Sequence, residues 1–412
     1  MQVHMKSRAI QMIKRTIRSL GETLLKVYLA ARPREELVPE RVSRILVFAY
    51  HGLGNFIMYT PALRLLRERY PEARIDLQVG NKTGAEEVIA GADLFDHVYN
   101  VPYSAGLAAW MSRIREIRET NYDLTINEFH SHSWQLALVV AASGARHRAG
   151  HVTSPGWPDK FSHYGFVFNI GVAMREDEHE IERYLDLVAA VGARRAAPGD
   201  VETFIHLDDE DREFARRFLN GEERNSNVRI IGFQPGSSPT MAWKQWPIDR
   251  YREVIARLMS DSPGSRIILF GSALEEEMVR TMAAGLGPRV AVAAGKTSVK
   301  QAAALIERCD LLVCNDSGLM HAAVAVGTPV VAIYGPTDFR RTAPLGGIHR
   351  IIRHELPCSP CFKLDGDEQV HLCPHHDCLM TIDAEEVSEA ISQSRAASPF
   401  VQHAGGKPGG RR

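Results

Sequence analysis

The chain has 412 residues, enough for two ordinary domains with separate cores. Apolar residues at 45%, charged residues at 24% and a formal net charge of −1 describe an ordinary globular protein and exclude a strongly basic nucleic-acid binder. No stretch approaches the roughly 20 apolar residues that span a bilayer, and six cysteines in a chain this long do not make a disulfide scaffold. The expectation is a soluble, cytoplasmic protein.

Residues 1–40 stand apart. Ile10, Ile13, Ile17, Leu20, Leu24 and Val27 recur at helical spacing and form one apolar stripe. Lys6, Arg8, Lys14, Arg15, Arg18 and Lys26 lie among them, and the first acidic residue is Glu22. A basic amphipathic helix of this kind can lie in an anionic membrane surface, dock on the body of the protein, or serve as an organelle transit segment. Charges interrupt any apolar core and no clear cleavage site follows, which argues against a secretory signal.

After Arg32-Pro33-Arg34 a regular alternation begins. Ile45-Leu46-Val47-Phe48-Ala49 predicts a buried strand, followed by a Gly-rich loop and a helix with Thr60 as N-cap and Pro61 at its first position. Ile75 to Val79 and Asp123 to Ile126 predict further strands, and Ile181 to Val191 a helix, so a first domain is assigned to residues 41–205. Charged and small residues crowd the stretch from Ala196 to Asn227; the interdomain connection is placed at 206–227, with room for a short helix. A second series runs through strands Val228–Phe233 and Arg266–Phe270, a helix from Glu275, strand Leu311–Cys314, a helix to Val326, and strand Pro329–Tyr334. The second domain is assigned to residues 228–382, with a Cys-rich loop at 357–380. A helix at 383–394 and a Gly-rich, disordered tail at 395–412 complete the chain. Cys309 and Cys314, at the ends of a buried strand, read as core thiols. Strands alternating with helices imply parallel sheets and right-handed crossovers, hence an α/β fold of two doubly wound domains facing a cleft.

In such sheets ligands sit beyond the carboxyl ends of the strands. Asn315-Asp316-Ser317-Gly318 occupies that position, between a strand and the helix carrying His321. Asp316 or Ser317 can cap the helix, and Gly318 admits a ligand close to the backbone. Free N–H groups and the helix dipole then favour a diphosphate, toward which His321 can point. The plainer reading is a capped helix start with nothing bound. Gln234-Pro235-Gly236-Ser237-Ser238 also leaves a strand with available N–H groups, Ser237 among them. Lys244, in Trp243-Lys244-Gln245-Trp246-Pro247, either neutralises phosphate on a leaving group or is an exposed lysine between packed tryptophans. Glu275 is placed for a ribose hydroxyl, or only complements the helix dipole. Gly335-Pro336-Thr337-Asp338 enters the same region.

These pieces in this order resemble the bacterial heptosyltransferase family, glycosyltransferase family 9, of lipopolysaccharide assembly. The resemblance covers about residues 44–392. It is carried by His51-Gly52-Leu53-Gly54-Asn55 through Thr60-Pro61-Ala62-Leu63, Gln234-Pro235-Gly236 through Pro247, Ala294-Gly295-Lys296-Thr297-Ser298, Asn315 to His321, and Gly327-Thr328-Pro329 through Thr337. It implies the GT-B architecture: two Rossmann-like domains, nucleotide-sugar donor on the second, acceptor on the first. It further implies inverting transfer, typically from ADP-heptose, with no essential metal or cofactor. By the same resemblance Lys244 and Asp316-Ser317-Gly318 hold phosphates, Glu275 takes the ribose, and the last helix packs back at the domain junction. The implied acceptor is a lipopolysaccharide-core or related glycan, which suits a protein peripheral on the inner face of the cytoplasmic membrane.

One position departs from the pattern. Family members resembling the lipopolysaccharide enzymes have aspartate after the glycine of the first loop; here it is Asn55, and an amide cannot take a proton as a carboxylate does. Three readings are open. Asn55 positions the acceptor while His51, Glu128, His130 or His132 acts as base; the enzyme belongs to a branch with a different sugar and acceptor; or the chain binds a sugar nucleotide without turnover. Finally, Cys358-x2-Cys361-x11-Cys373-x4-Cys378 has the ligand types and approximate spacing of tetrahedral zinc, with His371, His375 and His376 as substitutes. It is alternatively a set of half-buried thiols, and a zinc-stabilised interaction module is the third functional class.

Overall fold

The computed structural model describes residues 21–394 apart from 33–34, 81–83, 103, 129–133, 154–163, 176, 221–227, 238, 363–372 and 374. The expectations for residues 1–20, His130, His132, Ser238, His371 and the tail at 395–412 lie outside the described residues.

Two six-stranded sheets form, both wholly parallel. The first contains β1 (Arg44–Ala49), β2 (Arg74–Val79), β3 (His97–Asn100), β4 (Leu124–Asn127), β5 (His147–Thr153) and β6 (Ile170–Met174) in the order β3-β2-β1-β4-β5-β6. The second contains β7 (Ile230–Gln234), β8 (Arg266–Leu269), β9 (Val290–Val292), β10 (Leu311–Asn315), β11 (Val330–Ile333) and β12 (Arg350–Ile352) in the order β12-β11-β10-β7-β8-β9. Both follow the same winding. In each, the strand order reverses beside the first strand, between β1 and β4 and between β7 and β10, which is where doubly wound sheets open a crevice. β7 and β10 are buried along their whole length, as expected of central parallel strands covered on both faces.

Alternation along β1 divides the interior. Ile45, Val47 and Ala49 face a core that also contains Leu312 and Cys314 of β10 and helices of both halves, so the two domains share buried apolar surface. Leu46 and Phe48 face an outer layer with Trp110, Ile117, Leu136 and Tyr164. A third core lies on the outer side of the second sheet, beneath α4 (Ile248–Asp261) and α7 (Ala384–Gln393). α7 packs on α4 within the second domain, through Val387 and Ile391. The connection at 206–227 carries the expected short helix, α3 (Asp209–Phe218), which packs against α5 (Val299–Glu307). Lys300 of α5 joins Asp208 and Asp211 of the connection at 2.6 and 3.0 Å.

The first helix starts earlier than the sequence suggests. α1 runs Leu53–Arg69, beginning directly after Gly52, with Pro61 inside it. A proline there leaves the carbonyl four residues earlier without its donor. Thr60 does not cap the helix: its hydroxyl donates to the Ile57 carbonyl at 2.7 Å and accepts from the Phe204 N–H at 3.0 Å. The Thr-Pro pair is thus an interior repair and not a cap. Thr60→Val removes both bonds at a buried site, and the loss expected in urea unfolding is about 1–3 kcal/mol. Thr60→Ser should remain within about 1 kcal/mol of wild type, and equal stability of both variants would show that the hydroxyl carries neither bond.

Candidate active site

The two switch points face each other across the junction. On the second domain, three loops converge at the carboxyl ends of β7 and β10. Asn315 holds them together: its side-chain carbonyl accepts from the Trp246 N–H and the Tyr251 hydroxyl, both at 3.0 Å. Its amide donates to the Pro235 and Gly236 carbonyls at 2.8 and 3.1 Å. Asn315 is therefore a fully buried tie with its hydrogen-bonding capacity spent inside the protein. Asp316 comes next, also buried, and bonds Lys244 Nζ at 2.8 Å. Burial pushes its carboxyl up, but the charge and hydrogen bond of Lys244, with help from His321 and Thr337, more than offset this and hold it below the usual range.

α6 (Gly318–Ala325) starts at Ser317, whose hydroxyl makes no capping bond and is buried without a partner. The first N–H groups of α6 are thus left without a side-chain cap at its positive end, the arrangement that receives a phosphate. His321, one turn on, is buried, and burial lowers its imidazole to about 4, so it is neutral at physiological pH. Ser237 is buried in the facing loop, its hydroxyl donating to the Met241 carbonyl at 2.7 Å. The two carboxylate oxygens of Glu275 have different surroundings. One oxygen caps, accepting from Ser272 N and Oγ at 2.7 Å each. Its other oxygen is buried without a partner and lies so close to Gly236 that a Cβ there would overlap it.

On the first domain, β1 and β4 end side by side, which brings His51 and Glu128 together from positions far apart in the chain. Glu128 Oε1 accepts from the Tyr50 N–H at 3.0 Å and lies 3.7 Å from His51 Nε2. His51 Nδ1 lies 3.5 Å from Asn55 Nδ2, one turn into the loop–helix junction. Asn55, His51 and Glu128 therefore form a line from the rim inward. Burial pushes the Glu128 carboxyl well up, though the backbone N–H groups of Tyr50 and His51 oppose it. Its second oxygen has no partner, and neither do the buried hydroxyls of Tyr59 and Tyr184, whose rings lie 4.8 Å apart.

Closure brings these walls into contact. A Cβ on Gly54 would lie 2.6 Å from His321 Cδ2, so the loop before Asn55 sits directly against the donor helix. Beside it, Glu180 at the start of α2 (Glu180–Ala189) is buried and bonds Arg341 of the second domain and Arg183 of its own helix. Next to it, His179 Nε2 meets the Ala343 carbonyl at 3.0 Å. Sequence reasoning missed Glu180 and Arg341. A charged residue in an amphipathic helix reads as solvated, and only the closed junction shows that Glu180 is not.

The four cysteines lie apart from this line. Cys358 is exposed, Cys361 and Cys373 are half-buried, and Cys378 is buried. Burial and the nearby thiols of the set push Cys378 up to about 11, which places the four in one neighbourhood. Among the described residues no group of three or more His, Cys, Asp or Glu is arranged to hold a metal ion. Cys373 Sγ accepts the His376 N–H at 3.3 Å, a bond that starts the turn into Asp377–Met380.

Removal of the lysine tests the donor wall. In wild type the Asp316 carboxyl is depressed, so its contribution to stability is present above the unfolded carboxylate pKa and lost as pH falls through the folded one. In Lys244→Met burial is opposed only by His321 and Thr337, so that carboxyl rises above its unfolded value; the variant should lose about 3–5 kcal/mol at neutral pH and regain part of it on acidification. A melting temperature that varies with pH as in wild type would contradict the coupling.

The family model for glycosyltransferase family 9 (heptosyltransferase) matches residues 110–371. Lipopolysaccharide heptosyltransferase 2 of Salmonella typhimurium is 30% identical over 322 residues, covering 75% of this chain and 88% of the relative. The Escherichia coli K12 protein of the same name is 28% identical over 358 residues, covering 85% and 97%. A solved structure described as E. coli ADP-heptose lps heptosyltransferase II superposes with a TM-score of 0.66 at 25% identity, covering 85% of this chain and 98% of that one. The two facing Rossmann-like sheets are the GT-B fold, and with these matches the chain belongs to glycosyltransferase family 9, the heptosyltransferases.

Proposed function

We propose that this glycosyltransferase moves a heptose from a nucleotide donor of the ADP-heptose type to a lipopolysaccharide-core or related glycan, with inversion, and that His51 is the base. The observation that carries the reading is the line Asn55–His51–Glu128 set against the α6 donor loop. Glu128 is too deeply buried to meet an acceptor hydroxyl, so its role is to orient His51. With Nε2 turned to Glu128, Nδ1 is the atom that takes the acceptor proton, and Asn55 positions the hydroxyl in front of it. The acceptor oxygen attacks the anomeric carbon opposite the diphosphate, the bond to the diphosphate oxygen breaks, and the nucleoside diphosphate leaves. Its growing charge meets the N–H groups of Ser317 and Gly318 and the ammonium of Lys244, which keeps donor capacity beyond its bond to Asp316. His321 and Ser237 border the diphosphate, and the second oxygen of Glu275 takes the ribose. No cofactor is required in this scheme. A structural zinc at the cysteines is a separate matter that elemental analysis decides: stoichiometric zinc establishes it, and none removes it.

Among the described residues no helix is long and apolar enough to cross a membrane. The acceptor chemistry and the basic stripe of residues 1–27 support peripheral attachment to the inner face of the cytoplasmic membrane.

Release of nucleoside diphosphate from ADP-heptose in the presence of a heptose-deficient core glycan tests the chemistry. His51→Ala should lower kcat by about 100-fold or more and remove the acid limb of the pH profile. Glu128→Gln should cost about tenfold, because an amide in that place orients the imidazole less well than the carboxyl does. Asn55→Asp should retain activity. Full activity in His51→Ala would assign the base elsewhere, and donor binding without turnover in wild type would make the chain a sugar-nucleotide-binding protein.

A further inference from the structure

Two helices cover the outer face of the first sheet and leave their own outer faces bare. Residues 21–30 are helical and place Leu25 in the same buried layer as Phe48 and Trp110. The helix Leu107–Thr120 places Trp110 and Ile117 there. Both cover the same face of the sheet, so their exposed residues lie on one side of the first domain. Those sides are apolar: Leu24 and Val27 are 63% and 64% exposed, Leu107 and Met111 are 77% and 55%, and Tyr28 is exposed beside them on the first helix. Ala108 and Ala109 are exposed between Leu107 and Met111, so the first turns of that helix carry no charge outward.

The position of Leu107 ties this face to the site. Its helix links β3 to the parallel strand β4, so it runs antiparallel to the strands, and its first turn lies at their carboxyl edge. That is the edge where His51 and Glu128 stand. The Tyr50 hydroxyl, next to His51 in sequence, donates to the Val101 carbonyl at 3.0 Å, just before this helix. Charge is arranged to match an anionic partner: residues 1–20, which lead into the first helix, contain Lys6, Arg8, Lys14, Arg15 and Arg18 and no carboxylate. Lys26, over the Phe166 ring at 4.9 Å, and Arg32, over the Tyr28 ring at 5.1 Å, border the apolar face.

We propose that Leu24, Val27, Tyr28, Leu107 and Met111 form one membrane-docking face that enters an anionic bilayer surface beside the acceptor side of the cleft. Apolar side chains enter the headgroup boundary while the flanking basic groups meet the lipid phosphates. The second helix distinguishes this from attachment by the N-terminal stripe alone: it holds the cleft edge, and not merely the chain, at the bilayer. This rests on the acceptor being lipid-linked, and its function is to bring a membrane-borne sugar to His51.

Flotation of the full-length protein with vesicles rich in phosphatidylglycerol, against vesicles of phosphatidylcholine alone, tests the face without donor or turnover. Wild type should bind the anionic vesicles and be released by salt. The double variant Leu107→Glu, Met111→Glu should bind about tenfold more weakly, as should Leu24→Glu, Val27→Glu. Both should release nucleoside diphosphate with a water-soluble core acceptor at the wild-type rate, whereas KM for acceptor embedded in vesicles should rise about tenfold. Wild-type vesicle binding by the Leu107, Met111 variant would overturn the proposal in favour of the N-terminal segment acting alone. Equal binding to both vesicle types, or a change of the variants from dimer to monomer with unaltered vesicle binding, would also overturn it, the latter assigning the face to a second copy of the chain. Loss of transfer in His51→Ala with vesicle binding intact would bear on the chemistry only.

Discussion

A single buried amide organises the donor wall. Asn315 receives hydrogen bonds from Trp246 and Tyr251 and gives two to the loop after β7, so three segments separated by some 80 residues become one surface. A buried side chain that satisfies every donor and acceptor it carries specifies geometry, because any displacement strands polar groups in the interior. The next residues of the chain inherit that precision. Asp316 is aimed at Lys244, and α6 starts with Ser317 and Gly318 facing the junction. Had the amide been replaced by an apolar residue of similar size, the backbone carbonyls of Pro235 and Gly236 would lose their partner, and the loops their common anchor.

The junction has a different character. Its apolar core is continuous between the sheets, but around the site it is unusually polar: Glu180 lies between two arginines, and Glu128, Tyr59, Tyr184 and both ring nitrogens of His151 include buried atoms without partners. Ion pairs at such depth are poor sources of net stability, since desolvation consumes most of the Coulombic gain. They are effective in fixing relative position. Arg341 and Glu180 come from different domains, so their pairing ties the two halves together where Gly54 approaches His321. A side chain at position 54 would hold the walls apart.

Replacement of a carboxylate by Asn55 changes how a base must be built. A carboxylate at that rim would act alone, whereas an imidazole needs a partner to set its tautomer and stabilise its charged form. In the proposed mechanism the buried Glu128 carboxyl at the end of β4 orients that imidazole, because β1 and β4 are neighbours and end in register. The same rim continues through Tyr50 and Val101 to the helix that exposes Leu107 and Met111.

Much of this was legible in order along the chain. Apolar runs located β1, β2, β4, β7, β8, β10 and β11 to within a residue or two, because central parallel strands must be buried on both faces and have few ways to appear polar. Edge strands such as β3 and β9 were not legible, since half their surface is open and their residues alternate without a dominant signal. The helix start before Pro61 was misjudged because the local cap rule is sound for an isolated segment, and only the packed Thr60 hydroxyl overrides it. By itself the sequence determined the two doubly wound sheets and the place of Asp316-Ser317-Gly318 between a strand and a helix, since strand periodicity and helix-start chemistry are local. Which groups meet was decided by the tertiary structure: Asn315 as a tie, His51 against Glu128, Glu180 against Arg341, and Cys373 spent on a turn. Each of these pairs except the last joins residues distant in the chain, and their meeting depends on sheet register and domain closure, neither of which any local pattern encodes.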